Sequence, residues 1–377
     1  MALNQVGLER LNTATTKKIG TNKNLIINGA MQVAQRGTSS SSTNGIGCVD
    51  RFHNIRAGQD EEPTQAQHAL TSSDTGPYGE GFRFSFHVTN GNQTSGAGTN
   101  DYMSMRYKFE AQDIANSGWN YTSATSFITF SFWIKSSVAQ NFYGYIKTTD
   151  GTDQRYAYET GSLTADTWTK ITKTIPGNSN LQFDSTNLQG LEIYLSQFWG
   201  TAFTDSGVSL NTWGAYASGT RMPDNTSTWW TTNDATFEIT GVQLEVGSVA
   251  TDFEHRSFAQ ELALCHRYCY VNTLNNGDNT GIHGYCFNTT TMRAMISFPV
   301  PMRTEPTYTG NSVICRVESA DSSPDFALST ITMHRAPLTR PVLYTGMTVI
   351  TSSITAGQGC LVVMRNNNGK MTFDAEL

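Results

Sequence analysis

The sequence predicts an all-β protein: an antiparallel jelly-roll sandwich, then a smaller β domain with one packed helix, with a short helical arm in front. Three observations predict it. Strand signals with period-2 apolar alternation recur with polar turns, not helical periods, between them. Only 15% of residues are charged and 33 are glycine, the usage of many short strands joined by turns. A length of 377 residues exceeds one ordinary core and suits two or three domains.

Along the chain, Leu3, Val6, Leu8 and Leu11 fall at helical spacing in a segment too short to be stable alone. Residues 1–23 therefore read either as a frayed terminus or as an arm docking on another subunit. Residues 24–44 close with Gly37 and a Ser/Thr tract at 38–43 and read as a linker. The large domain, 45–255, begins its first strand at Cys48-Val-Asp-Arg-Phe52. In 81–88 the residues Phe82, Phe84, Phe86 and Val88 point inward, and in 102–109 Met103, Met105, Tyr107 and Phe109 do the same. Phe127-Ile-Thr-Phe-Ser-Phe-Trp-Ile134 is apolar on both faces, so it belongs centrally, covered by the facing sheet and by a loop. Strands follow at 142–148, 154–159, 167–175 and 191–198. Thr236–Val246 is the last strand of its sheet, changing face around Gly241 as at a bulge.

Ser257 and Gln260 form a capping box for a helix over 257–270, with Phe258, Leu262, Cys265 and Cys269 on one face. This helix leads the C-terminal β domain, 256–377, and covers its sheet. There Met292, Ala294, Ile296 and Phe298 alternate, and further strands follow at 312–318, 327–334, 342–351, 359–364 and 370–376.

Lysine and arginine total 25 against 31 acidic residues, a net charge of −6. No basic run exceeds Lys17-Lys18, so neither nucleic acid nor an anionic membrane is an expected partner. No stretch approaches the roughly 18 apolar residues of a membrane span, and the first residues lack a secretory signal, so a soluble protein that is not Sec-exported is expected. Six cysteines without paired spacing read as buried free thiols.

Motif-borne catalysis is absent: there is no Gly-x-Ser-x-Gly elbow, His-Glu-x-x-His helix or Walker loop. Carboxylates on loops leave glycoside hydrolysis as an alternative. Cys265-His266-Arg-Tyr-Cys269 fails as a metal site, since a helix turns His266 away from the cysteines and no second pair follows. The acidic clusters at 60–62, 150–153 and 318–325 read as turn residues, with no metal or other cofactor named. The aromatics say more. Trp199, Trp213, Tyr216, Trp229 and Trp230 stand in a polar insertion, 197–232, where they either stack on sugar rings or fill the insertion's own small core or a subunit contact.

Asn24-Leu-Ile-Ile-Asn-Gly-Ala-Met-Gln-Val-Ala-Gln-Arg-Gly37, Val49-Asp-Arg-Phe52, Ile239-Thr-Gly-Val-Gln-Leu-Glu-Val-Gly247, Ala250-Thr-Asp-Phe-Glu-His-Arg256, Glu261-Leu-Ala-Leu-Cys265 and Phe298-Pro-Val-Pro-Met-Arg303 resemble the signature blocks of a family of bacteriophage tail-fibre and minor virion proteins. The resemblance implies a virion structural protein, usually a homotrimeric fibre or spike, whose carbohydrate-binding-module-like domains contact host surface glycans without catalysis. It implies assembly in the host bacterial cytoplasm, attachment to another virion protein through the 1–23 arm, and no catalytic residue. A purely architectural or capsid-decorating subunit and a depolymerase tailspike are the alternatives.

Overall fold

The computed structural model describes residues 23–41, 43–274, 279–310, 313–317, 325–334, 342–349, 354–364 and 369–377. All but Lys23 of the expected docking arm lies outside them. The chain divides into two compact units between Arg256 and Ser257. Among the described residues no helix is long and apolar enough to cross a membrane.

In the first unit, alternating side chains give each long strand one face for a common core. The strands are β1 (Ser39–Ser40), β2 (His53–Ala57), β3 (Thr64–Ala69), β4 (Phe84–Thr89), β5 (Tyr102–Glu110), β6 (Phe127–Ser136), β7 (Asn141–Thr148), β8 (Gln154–Ser162), β9 (Thr169–Pro176), β10 (Gln189–Trp199), β11 (Trp213–Ala215) and β12 (Thr236–Val246). Short helices α1 (Ala111–Ala115) and α2 (Thr228–Thr231) interrupt them. Two six-stranded sheets result, ordered β1-β3-β4-β12-β6-β9 and β11-β8-β7-β10-β5-β2, antiparallel throughout. Met103, Met105, Tyr107 and Phe109 are buried as their alternation requires. Phe130 meets Tyr158 across the sheets at 5.8 Å and Phe142 meets Phe237 at 5.1 Å, so one core joins both layers. The unit is an all-β sandwich.

The doubly apolar β6 finds its second cover in the loop before β4. Trp133, on the outer face, packs with Leu70, Tyr78, Phe82, Trp168 and Phe253. β12 is last in chain order but lies inside its sheet, between β4 and β6. Its register with β6 shifts between Thr240 and Gln243, and Gly241 takes φ 61°. A Cβ there would stand 2.7 Å from the Phe82 ring, so only glycine fits both the bulge and the cover.

Two expectations fail at the start of this unit. The first strand of the 45–255 domain starts at His53, after a turn through Cys48–Arg51. Residues 24–44 are not a linker: Asn24, Ile26, Asn28, Ala30, Met31 and Val33 are buried, and even Ser39–Ser40 of the supposed flexible tract pairs with β3. Asn24 explains the difference. Its Oδ1 accepts the Leu244 N–H at 3.0 Å and its Nδ2 donates to Val242 O at 3.1 Å. The segment thus satisfies backbone groups that the β12 bulge leaves over. Glu254 accepts the Asn24 N–H at 2.7 Å, and Arg256 donates to Ile26 O at 3.1 Å. Asn28 Nδ2 reaches Asp50 O at 3.0 Å, while the Asp50 carboxylate accepts from Gln35. The blocks at 24–37, 49–52, 239–247 and 250–256 are therefore parts of one buried hydrogen-bonded fastening.

The second unit opens as its capping box predicts. Ser257 Oγ accepts the Gln260 N–H at 3.4 Å, and Gln260 Oε1 accepts the Ser257 N–H at 3.0 Å, at the head of α3 (Phe258–His266). The helix is shorter than expected. Cys269 opens β13 (Cys269–Leu274) instead of extending the helical face, and Phe258 is 55% exposed. The remaining strands are β14 (Asn279–Cys286), β15 (Thr291–Ser297), β16 (Thr307–Gly310), β17 (Val313–Val317), β18 (Asp325–His334), β19 (Val342–Val349), β20 (Gly359–Met364) and β21 (Gly369–Asp374). β13-β21-β16 form a small sheet, and β14-β15-β19-β18-β17-β20 close into a barrel. Met292, Ala294, Ile296 and Phe298 are buried in the core of this unit.

Candidate functional site

The outer face of the β11-β8-β7-β10-β5-β2 sheet carries large side chains that water would not cover cheaply. Tyr145 and Tyr194 stack with centroids 4.2 Å apart, and Tyr102 stacks on Trp199 at 4.4 Å. The chain after β10 folds back over them, placing Met222 among the buried residues and packing Phe203, Val208, Leu210 and Tyr216 alongside. Trp199 is 4% exposed, with its Nε1–H donated to Ser196 Oγ at 2.7 Å and the Arg221 guanidinium 4.3 Å from its ring centroid. Burial pushes the Tyr145 and Tyr194 phenols well above the usual tyrosine range.

This overturns three of the five stacking candidates. Trp199 fills the insertion's own small core. Trp229 and Trp230 are wholly buried in the sandwich core through α2. Trp229 donates to Thr236 O at 3.0 Å and Trp230 to Gly96 O at 2.9 Å, while Asn90 caps the turn by donating to Trp230 O at 2.7 Å. A ring enclosed on both faces offers nothing to a sugar. Trp213 and Tyr216 remain half-buried. Tyr216 already carries Lys147, whose Nζ lies 4.4 Å from its centroid, and accepts the Arg221 Nε–H at 3.1 Å.

Trp213 stands at a cleft of about 400 Å³, lined also by Arg155, Asp205, Gly207, Val208, Ser209, Thr212, Gly214 and Thr220. Short β11 makes the cleft by pairing with the outer edge of β8: Trp213 lies opposite Tyr156 and Gly214 opposite Arg155. The indole is pinned by its Nε1–H to Pro176 O at 2.7 Å and by Tyr156 at 5.3 Å. Arg155, the cross-strand partner of Gly214, lines the wall; a Cβ on Gly214 would stand 3.6 Å from its Nη2, an ordinary contact. Arg155 is 9% exposed and its Nε is buried without a hydrogen-bond partner. Asp205 accepts the Gly207 N–H at 2.7 Å, which shapes the opposite loop. A rigid indole beside a guanidinium, a carboxylate and three hydroxyls can hold a polar, hydroxylated ring compound. Sequence reasoning found Trp213 but missed Arg155, an unremarkable position in a strand whose place beside the cleft is visible only once the β8–β11 register is known.

One other titratable cluster is built from cross-strand neighbours. Glu238 on β12 lies opposite His87 and Lys135. His68, His87 and Glu238 bring ligand atoms within 4.8 Å of one another, a donor set that could take a metal ion. The carboxylate is already served: Ser85 Oγ donates to it at 2.6 Å, His68 Nδ1 lies at 3.0 Å and Lys135 Nζ at 3.1 Å. A cation would have to displace that ammonium. Lys135 also pairs with Asp74 at 2.9 Å. The acidic turns behave similarly. Asp60 accepts from Ser95 N–H at 2.6 Å, Glu62 pairs with Arg56 and Asp153 with Lys147 at 3.0 Å. Residues 318–324 of the third acidic cluster lie outside the described residues. Cys48, Cys265, Cys269, Cys286 and Cys360 are buried, and burial pushes the Cys48 thiol up to about 12 and, with Cys360 beside it, Cys286 to about 11, leaving little nucleophilic thiolate.

No protein-family model matches the chain, and no curated protein matches it. Among solved structures it is similar to the enzymatically active domain of tailspike protein 4 from bacteriophage CBA120, at 9% identity and TM-score 0.31, over 60% of this chain. The match spans 22% of that tailspike chain. It is also similar to a putative sugar binding protein from Bacteroides thetaiotaomicron, at 11% identity and TM-score 0.32, over 59% of this chain and 100% of that one. A CBM4 structure matches at 12% identity and TM-score 0.31, over 58% and 98% of the two chains.

Proposed function

We propose that the protein is a phage virion subunit, a tail fibre or spike, that binds host surface glycan non-catalytically in the cleft between β8, β11 and the 205–212 loop. The observation that carries glycan binding is Trp213: a partly exposed indole, locked by Pro176 and Tyr156, beside convergent polar groups. The virion role rests on the resemblance of the sequence blocks; in this chain four of them interlock into one fastening. Trimerisation, attachment through residues 1–23 and a place on the particle surface belong to the same proposal. The binding reading is non-catalytic because Asp205 is the one carboxylate lining the cleft, whereas glycoside hydrolysis usually runs on a pair.

The test is Trp213→Ala, assayed by affinity electrophoresis through gels cast with host-envelope polysaccharide. Loss of one sugar–aromatic contact should weaken retention about 10-fold or more, with the far-UV spectrum unchanged. Equal retention of variant and native protein would remove Trp213 from the site. A second reading, a purely architectural subunit, is favoured by the burial of Trp199, Trp229 and Trp230; it expects no retention of either protein.

A further inference from the structure

We infer that the cleft selects an acidic saccharide, one bearing a carboxylate or sulfate, with Arg155 as the anion-binding residue. The inference rests on the glycan reading of the same cleft and adds the charge of the ligand. A guanidinium has five N–H donors and cannot lose its charge in a protein. Such groups are buried only with a counter-charge or acceptors, because taking an ion out of water without compensation is costly. Arg155 breaks that rule. It is 9% exposed, its Nε has no hydrogen-bond partner, and among the described residues no carboxylate pairs with it. Other buried arginines spend their guanidinium donors within the fold: Arg56 on Glu62, Arg303 on the Ala375 and Glu376 carbonyls, and Arg51 on Lys108 O.

Its surroundings make the absence directional. Lys147 is the cross-strand partner of Arg155 on β7, and that ammonium is occupied by Asp153 at 3.0 Å. Gly214, opposite on β11, sets no side chain against the guanidinium, whose Nη2 lies 3.6 Å from where a Cβ would stand. Of the groups lining the cleft, Asp205 alone is negative, and it is turned into its own loop by the Gly207 N–H. An anion is therefore placed at the Arg155 side, and hydroxyl groups at the Asp205, Ser209 and Thr212 side. Guanidinium binds carboxylate and sulfate oxygens through paired, charge-assisted hydrogen bonds, and Trp213 supplies the adjoining ring contact.

The experiment is calorimetric titration of the full chain with two matched pairs of probes: an oligogalacturonate and its carboxyl-reduced neutral form, and a sulfated galactan oligomer and its desulfated form. The expected result is binding of an acidic member, with its neutral partner weaker by about 10- to 100-fold, the worth of charged hydrogen bonds. Which acidic member binds distinguishes carboxylate from sulfate. Arg155→Met should erase the difference between partners, and Arg155→Lys should keep part of it. Arg155→Met should also raise Tm by roughly 2–8 °C, because the native side chain is a buried charge without a partner; a fall in Tm would mark Arg155 as structural and overturn the inference. Equal binding of acidic and neutral partners that depends on Trp213 would overturn the anion assignment while leaving the glycan reading intact. Binding of none of the four would overturn both.

Discussion

Replacing Trp229 and Trp230 by alanine should unfold the first unit rather than blind it. Both rings are wholly buried, and Trp→Ala in a core costs about 3–5 kcal/mol. Trp229 packs against Phe237 at 6.3 Å and Trp230 against Phe198 at 5.3 Å. They are chain neighbours in α2, and both carbonyls accept from Asn90 Nδ2, so their losses couple and need not add. Even one such loss is a large part of the roughly 5–15 kcal/mol stability of an ordinary domain. Trp230→Phe separates the terms. It keeps most of the apolar volume but leaves Gly96 O without its donor, for about 1–2 kcal/mol. The assay is urea unfolding followed by tryptophan fluorescence. All seven tryptophans lie between 119 and 230, so the signal reports the first unit alone. A single alanine variant that lost less than about 1 kcal/mol at unchanged slope would refute the packing argument.

The Glu238 network should make the first unit acid-sensitive. Burial acts to raise the Asp74 pKa, but hydrogen bonds from the Thr71 N–H, Trp168 and Lys135 outweigh it and bring it to about 2. Burial likewise opposes, and His87 and Ser85 then hold, the Glu238 carboxyl well below the usual range. Both folded values are depressed, so their stabilisation is fully present above the ordinary carboxylate pKa and drains away as pH falls toward 2. Urea midpoints should be flat above about pH 5 and fall below it, and Lys135→Met should flatten that limb; midpoints that rose on acidification would contradict the network. In the second unit, Ser257→Ala should weaken α3 by about 1 kcal/mol, seen as faster amide exchange at Gln260 and Glu261, and unchanged exchange would show that the capping box is idle.

Much of the sandwich was legible because alternation is a local signal with a long-range consequence. Met103 to Phe109 can bury every second side chain on one face only, and β5 does so. The bulge at Gly241 was legible for the same reason: two apolar registers cannot share a face unless the backbone gains a residue. Residues 24–44 misled because polar, glycine-rich sequence describes a flexible linker and a buried fastening equally well. Asn24 and Asn28 are buried at no net loss only because Val242, Leu244 and Asp50, far along the chain, complete their hydrogen bonds. The helix face at 257–270 misled differently. Periodicity continues through Cys269, but the chain turns at Arg267–Tyr268 and the cysteine joins a strand.

The aromatic insertion marks where sequence reading stops. Five large rings in a polar loop are equally compatible with a binding face and with a plug, since either gives the rings something to cover. The outer face of the sheet decides it. Tyr145 and Tyr194, which alternate with core residues on β7 and β10, present an apolar surface that the insertion must cover before any ligand is considered. Trp199 is spent on that task, and Trp229 and Trp230 on the core. Trp213 escapes because β11 carries it past the covered tyrosines to the β8 edge, opposite Tyr156. The same pairing sets glycine against Arg155. One edge register thus sets an indole and a guanidinium at a single place, so disrupting the β11 pairing should weaken gel retention and the preference for acidic probes together; loss of one without the other would separate the two residues.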